Sequence, residues 1–477
     1  MFEPDEYFED EEFLEILRQY EEAAKSGQSI YMDVDDLADI ADYYYRQERY
    51  EEGQEVVRHI IELQPDSPVA LSYQIQDALD EGDTALARNY LDAMIDKESP
   101  EYLYAHAEIL IAEDKVEEAD QMLRQEFREI PPEEVEDYVF DVANIYANNN
   151  LHEKSLEWMM RAKHDNTTDF KELMGRALFG LGKYKESERI FNELLDEHPF
   201  QKRYWTALAS AQFMREDFSA SVTSSEYAIA IDPKDPEGIL AKANGLYHLD
   251  NLEDALSYYE RYSELVPDDE YGYLHQGTCL VSLGRSEEAV ERLKQAERIA
   301  PPDSPELVEI YQELGFAYAE LKKPESALYY IDKTDQLECD HIDMQVVRGH
   351  ILLSCQKTEE AEEAFKKAIN DSGGAPRTIM RVIVSLFDNR FVEAAYQMFK
   401  KFFEIVDDDW NEGYAYMALC CWELREFNEF MEYLKLACEQ NPHEAHSVLS
   451  HLFPKDMMPD SYYKYMEDKL KDIRKNL

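Results

Sequence analysis

The sequence predicts an all-α solenoid of about twelve helix–turn–helix repeats with helical caps at both ends. Three observations carry this. Two rows of small residues recur at a fixed interval, bulky apolar residues surround them at helical spacing, and prolines close many of the intervals. The length of 477 residues exceeds what one compact core organises, and 16 Gly and 18 Pro are too few for a loop-rich chain.

The clearest rows start after Pro236. The first is Ala243, Gly277, Gly315 and Gly349, and the second is Ala255, Ala289, Ala327 and Ala361. Both rows step by 34, 38 and 34 residues, and twelve residues separate them within each repeat. Backwards, the first row continues through Ala41, Ala107, Ala143, Gly175 and Ala209, the second through Gly53, Ala87, Ala119, Ser155, Ser187 and Ser221. A small pair lets two helices approach closely where they cross. Bulky residues fill the rest, as in Tyr311-x-x-Leu314-Gly315-x-x-Tyr318, whose spacing marks one helix face. Turns such as Gly182-Lys183-Tyr184 and Asp250-Asn251-Leu252 separate the helices. Pro65, Pro131, Pro199, Pro233, Pro267, Pro301 and Pro442 end repeats because proline cannot continue the hydrogen-bond ladder.

In this pattern the chain resembles the tetratricopeptide-repeat family, over about 85% of its length by the same period. The repeats begin near residues 34, 68, 100, 136, 168, 202, 236, 270, 308, 342, 375 and 411. Ile75, Val382 and Phe430 depart from the small-residue pattern. The expected division is a capping helix at 1–33, repeats one to eight at 34–301, repeats nine to twelve at 302–442 and capping helices at 443–477. Four extra residues at Pro301–Pro305 mark the inner division. Tyr7 to Lys25 reads as an amphipathic helix with Phe13, Leu14, Leu17 and Tyr20 on one side, and the tail as helices near 444–452 and 461–475. This helix, followed by Ser29 to Asp33 and then repeats, is similar to cytoplasmic repeat proteins of bacteria.

Charge is the second signal. Asp and Glu total 104 against 48 Lys and Arg, a formal net charge of −56. Such a chain repels nucleic acid and anionic membranes and attracts basic segments, although acidity alone also serves solubility. The six cysteines form no C-x-x-C pair and all lie in the second half, which suits reduced thiols in the cytoplasm. No apolar run has the length of a membrane span, and the acidic first ten residues lack the pattern of a signal peptide.

Chemistry-bearing motifs are sparse. His443 and His446 are three apart rather than the four of a zinc-binding H-E-x-x-H helix, and no phosphate-binding loop or nucleophile elbow occurs. No catalytic centre, cofactor or metal is expected. The reading is a non-enzymatic scaffold or adaptor for a protein or peptide, possible basic character included. The rival is an acidic holdase for a basic or aggregation-prone client. The oligomeric state is left open.

The resemblance also implies a right-handed superhelix whose first helices line a concave face, with repeat positions 2, 5, 6, 9, 12 and 13 toward the ligand. On this chain those positions give an acidic early face of Asp35, Asp39, Asp42, Glu101, Glu108, Asp137 and Asp141, with Tyr104 among them. The expected partner-binding residues follow in the middle: Phe140, Asn144, Arg176, Phe179, Arg203, Phe213, Asn244, Tyr247, His248, Tyr271 and His275. Phe179, Phe213 and Tyr247 share position 12 and would form either an aromatic ladder or part of the core. The late repeats give an apolar set, Ile379, Ile383, Leu386, Tyr416, Leu419 and Trp422. The Lys, Asn and Arg set of the family's chaperone-tail clamp is absent from any three consecutive repeats, so acidic chaperone tails are not expected ligands.

Overall fold

A computed structural model describes residues 8, 11–26, 32–46, 49–162, 167–407, 409–455 and 457–475. Among these residues every regular element is a helix. The chain forms two compact units, Met1–Pro233 and Lys234–Leu477.

In the first unit the helices are α1 (Glu11–Ser26), α2 (Val34–Arg46), α3 (Tyr50–Leu63), α4 (Pro68–Asp80), α5 (Thr84–Ala93), α6 (Pro100–Ala112) and α7 (Val116–Glu126). They continue with α8 (Val135–Asn148), α9 (His152–Met159), α10 (Thr168–Gly180), α11 (Tyr184–Glu197), α12 (Lys202–Met214) and α13 (Phe218–Ile231). In the second unit they are α14 (Pro236–His248), α15 (Leu252–Leu265), α16 (Glu270–Ser282), α17 (Ser286–Ile299), α18 (Leu307–Glu320), α19 (Pro324–Thr334) and α20 (His341–Ser354). The rest are α21 (Thr358–Asp371), α22 (Pro376–Asp388), α23 (Val392–Phe402), α24 (Tyr414–Glu423), α25 (Phe427–Gln440), α26 (Pro442–Leu449), a 3₁₀ turn (Ser450–Leu452) and α27 (Pro459–Lys475). Helices α2 to α25 form twelve successive pairs.

Local chemistry sets the helix starts. Ser67 Oγ accepts from the Ala70 N–H at 3.1 Å, and Asp235 Oδ2 accepts from Gly238 N–H at 2.9 Å, with Pro68 and Pro236 just inside each helix. From the second pair onward, the turn inside each pair has one geometry. Gly82, Asp114, Asn150, Gly182, Glu216, Asp250, Gly284, Lys322, Gln356, Arg390 and Arg425 all take φ between 56 and 74°, each closing a first helix. The Lys322 and Lys323 N–H groups bond the Ala319 and Tyr318 carbonyls at 3.0 and 2.9 Å, a Schellman closure. A side chain costs about 1 kcal/mol in this left-handed region. Lys322→Gly is therefore expected to raise stability by roughly 0.5–1 kcal/mol, read from thermal or denaturant melting, and a lower stability would refute this account of the turn.

The small rows sit where the two helices of a pair cross. A Cβ on Gly349 would lie 2.3 Å from the Phe365 ring, and one on Gly277 would lie 2.4 Å from Leu293. Glycine there lets a bulky side chain of the second helix rest on the backbone of the first. The departures from pattern, Ile75, Val382 and Phe430, are all buried.

At the front, Phe13 and Leu17 of α1 bury against Leu37, Ile40 and Tyr44, while Leu14 is exposed. Tyr7, also read as part of that helix, lies outside the described residues. At the back, Tyr462, Met466 and Leu470 of α27 complete the core of the last two pairs. The six late residues read as an apolar groove join this packing, with Ile383 and Leu419 buried and the other four packed against the cluster. Bulky apolar side chains at these positions fill helix–helix space.

Within each unit, neighbouring first helices pack on one another: α4 on α6, α6 on α8 and α8 on α10 in the first, and α16 on α18, α18 on α20 and α20 on α22 in the second. Second helices pack chiefly on the first helices of their own and the next pair. In each unit the first helices thus form a layer, and the candidate residues belong to it.

Candidate partner-binding surface

In the first unit, Asp35, Asp39 and Asp42 lie on α2, Glu101 and Glu108 on α6, and Asp137 and Asp141 on α8. Asp35, Asp42, Glu101, Asp137 and Asp141 are exposed, and Asp39 and Glu108 are half-buried. Tyrosines link these acids across neighbouring first helices. The Tyr73 hydroxyl of α4 donates to Asp42 at 3.5 Å, and the Tyr104 hydroxyl of α6 donates to Asp141 at 3.1 Å. A cleft of about 620 Å³ lies here, lined by Leu103, Tyr104, Ile130, Asp137, Tyr138 and Asp141 among others.

Crowding shifts these acids. Water reaches Asp141, yet the walls around it displace enough solvent to push its carboxyl up to about 6, with Asp137 adding repulsion and the Tyr104 hydroxyl opposing the rise. Burial, with a smaller contribution from Asp80, pushes Glu108 up to about 7. Both changes leave acids that gain from a cation.

Farther along the same unit, Phe140 and Asn144 lie on α8, half-buried, with the Phe140 ring 5.4 Å from Phe170. Arg176 of α10 is exposed and donates to Asn148 Oδ1 at 3.1 Å. Arg203 differs. It pairs with Glu172 at 3.0 Å, donates to the Tyr204 hydroxyl at 3.2 Å and lies over the Tyr204 ring. It is thus built into a repeat junction. Phe179 and Phe213 each meet the first residue of their own second helix edge-on, Tyr184 and Phe218, both at 5.3 Å. These two position-12 aromatics therefore have a packing role within the pair. Arg176 and Phe179 also line a cleft of about 950 Å³ with Asn148, His152, Ala207 and Ser210.

In the second unit, Asn244, Tyr247 and His248 of α14 and Tyr271 and His275 of α16 come together. The Tyr259 and Tyr271 hydroxyls reach Asn244 Oδ1 at 2.6 and 3.5 Å. The His275 ring stacks on Tyr259 at 5.2 Å, meets Tyr271 edge-on at 4.2 Å and lies 6.3 Å from Tyr247. His248 is exposed and edge-on to Tyr247 at 5.6 Å. Burial, then the neighbouring His248, lowers His275 to about 4, so it is neutral at physiological pH.

Several residues escaped the sequence reading. Asp120 is 5% exposed on α7 and accepts from Trp158 Nε1 at 2.9 Å and Arg124 Nε at 2.6 Å. Glu309 and Glu313 occupy in α18 the positions that Tyr271 and His275 hold in α16, and the repeat frame could have found them. His446 has a structural contact: its Nδ1 lies 3.0 Å from the Tyr462 hydroxyl. All six cysteines are free. No described helix is long and apolar enough to cross a membrane.

One tetratricopeptide-repeat profile matches residues 173–236 and 240–304, and a second matches 342–370. The protein STIP1 homolog of Dictyostelium discoideum is 32% identical over 119 residues, 25% of this chain and 21% of that protein. The matched stretch is thus about one fifth of the relative's length. Among solved structures, yeast Tom70 is 13% identical with a TM-score of 0.44, covering 92% of this chain and 96% of that one. A thermophilic repeat protein of Thermus thermophilus is 22% identical with a TM-score of 0.32, covering 39% of this chain and all (100%) of that one. The profile matches fall on helix pairs of the observed period, so the chain carries tetratricopeptide repeats at residues 173–236, 240–304 and 342–370.

Proposed function

We propose that the chain is a non-enzymatic cytoplasmic adaptor that holds a protein or peptide on its layer of first helices, with preference for basic segments. Tetratricopeptide repeats serve as protein–protein interaction scaffolds in general. The observation that carries the finer reading is the cleft beside Arg176 and Phe179. There an exposed guanidinium stands next to a half-buried ring, the combination that anchors many interfaces. The net charge of −56 and the carboxylates of α2, α6 and α8 supply the preference for basic partners.

The test starts with the partner captured from native lysate and then purified. Arg176→Ala is expected to weaken its binding by about 1–3 kcal/mol while leaving the melting temperature essentially unchanged. Arg203 is a poorer probe, because its pairing with Glu172 makes its removal a stability change as well. Unchanged affinity in Arg176→Ala removes this cleft from the interface.

The holdase reading draws on a different observation. Ile95, Met160 and Phe200 are 91%, 78% and 82% exposed in links that follow second helices. A holdase suppresses aggregation of unfolded clients without fixed stoichiometry, whereas an adaptor forms a stoichiometric complex with a folded partner.

A further inference from the structure

We propose that the first-helix face of α14, α16 and α18 is a subsite for one basic side chain, a lysine or arginine, of the bound partner. This deepens the adaptor reading and rests on it.

The repeat register makes the site. Tyr271 and His275 take positions 2 and 6 of one repeat, and Glu309 and Glu313 take them in the next. Helices α16 and α18 pack together, so an aromatic pair and an acidic pair occupy neighbouring rungs of one face. The aromatic side is fixed. Asn244 anchors the Tyr259 and Tyr271 hydroxyls, and the His275 ring lies between the Tyr259 face and the Tyr271 edge. His275 is neutral, and its buried Nδ1 has no hydrogen-bond partner among the described residues.

The acidic side lacks a counter-ion. The Glu309 and Glu313 side chains have no hydrogen bond or ion pair among the described residues. Protein encloses most of Glu313, and burial with repulsion from Glu309 and Glu320 pushes its carboxyl up to about 7. The same burial, with repulsion from Glu306, raises Glu309. Both carboxylates also act on Tyr247, whose hydroxyl is pushed up to about 12, chiefly by its own burial. The face thus holds two crowded acids beside electron-rich rings. An ammonium or guanidinium group relieves the repulsion and is attracted to the ring faces, whereas an anion meets repulsion throughout. A long aliphatic stem suits the aromatic wall.

The test uses fluorescein-labelled tetralysine and tetraglutamate peptides with the full chain, read by anisotropy at low salt. The Glu309→Gln/Glu313→Gln variant is compared with Glu359→Gln/Glu363→Gln, an equal charge change at exposed sites on α21. Tetralysine is expected to bind, and tetraglutamate is not. The inner pair should weaken tetralysine binding about tenfold, and the outer pair less than about twofold. Equal losses in the two variants would reduce the effect to net charge and overturn the subsite, as would no tetralysine binding at all. If the inner double variant does not fold, Glu309→Gln alone carries the comparison, with a loss of about threefold expected. Tetralysine binding that ignores Glu309 and Glu313, alongside a partner held on the first-helix layer, defeats this inference and leaves the adaptor reading standing. Pair-dependent tetralysine binding with a partner held elsewhere does the reverse.

Discussion

Asp120→Ala is expected to lower the unfolding free energy of the first unit by about 3–5 kcal/mol. The carboxylate is nearly inaccessible and gathers α7, α8 and α9 around it. Arg124 Nε donates to Oδ2 at 2.6 Å, Trp158 Nε1 to Oδ1 at 2.9 Å and the Tyr146 hydroxyl to Oδ1 at 3.4 Å, and Lys154 lies 3.6 Å away. Arg124 continues to Glu157 at 2.6 Å. Alanine would leave the buried indole N–H without its acceptor, and Arg124 would keep only Glu157. Burial alone would raise the Asp120 carboxyl, but the bonds from Arg124 and Trp158 and the charge of Lys154 outweigh it and hold it below its ordinary value. A lowered folded-state value stabilises above the unfolded value, and that contribution is lost as pH falls through the folded one. Asp120→Ala should therefore remove part of the acid sensitivity of the first unit. Denaturant titration at neutral and acid pH checks both effects, and a loss below about 1 kcal/mol at neutral pH would contradict the clamp role.

Partner binding is expected to fall steeply with salt. Raising ionic strength from about 0.05 to about 0.5 M should slow association by roughly 10- to 1,000-fold if the partner presents a basic segment. The exposed carboxylates of the first unit's first-helix layer, Asp35, Asp42, Glu101 and Asp137, carry this expectation. Stopped-flow kinetics at several salt concentrations separates steering from contact. A flat salt dependence would leave apolar and hydrogen-bonded contacts, such as those at Phe179, as the basis of binding.

The fold was largely legible because its signal is repeated. Ala243 and Ala255 define one crossing, and Gly277, Gly315 and Gly349 repeat its geometry, so a chance match at one repeat does not matter. The helix starts at 68, 100, 168, 202, 236 and 270 coincide with the repeat starts read from the period. The last repeat was less clear. Its expected start near 411 falls in a link, and α24 begins at Tyr414 after Gly413 with φ of 89°.

The face was legible only in outline. Repeat position indicates which layer a side chain belongs to, but not what it is paired with there. Arg176 and Arg203 read alike in the sequence, yet Arg203 is tied to Glu172 from the preceding repeat and Arg176 is exposed. Phe179 and Phe213 read as either a ladder or part of the core, and each turns onto the first residue of its own second helix. Asp120 gave no sign, because a buried acid on a second helix looks like any surface acid until its partners from α8 and α9 are in place.

The most direct test of the adaptor account is photo-crosslinking of the purified partner from single sites on two helices of one pair. A photoreactive residue at position 176 of α10 faces the proposed cleft, and one at the exposed position 189 of α11 serves as the second-helix control. The account predicts a specific cross-link to the partner from position 176 and little from position 189. Cross-linking from 189 with none from 176 would place the partner on the second helices and contradict it.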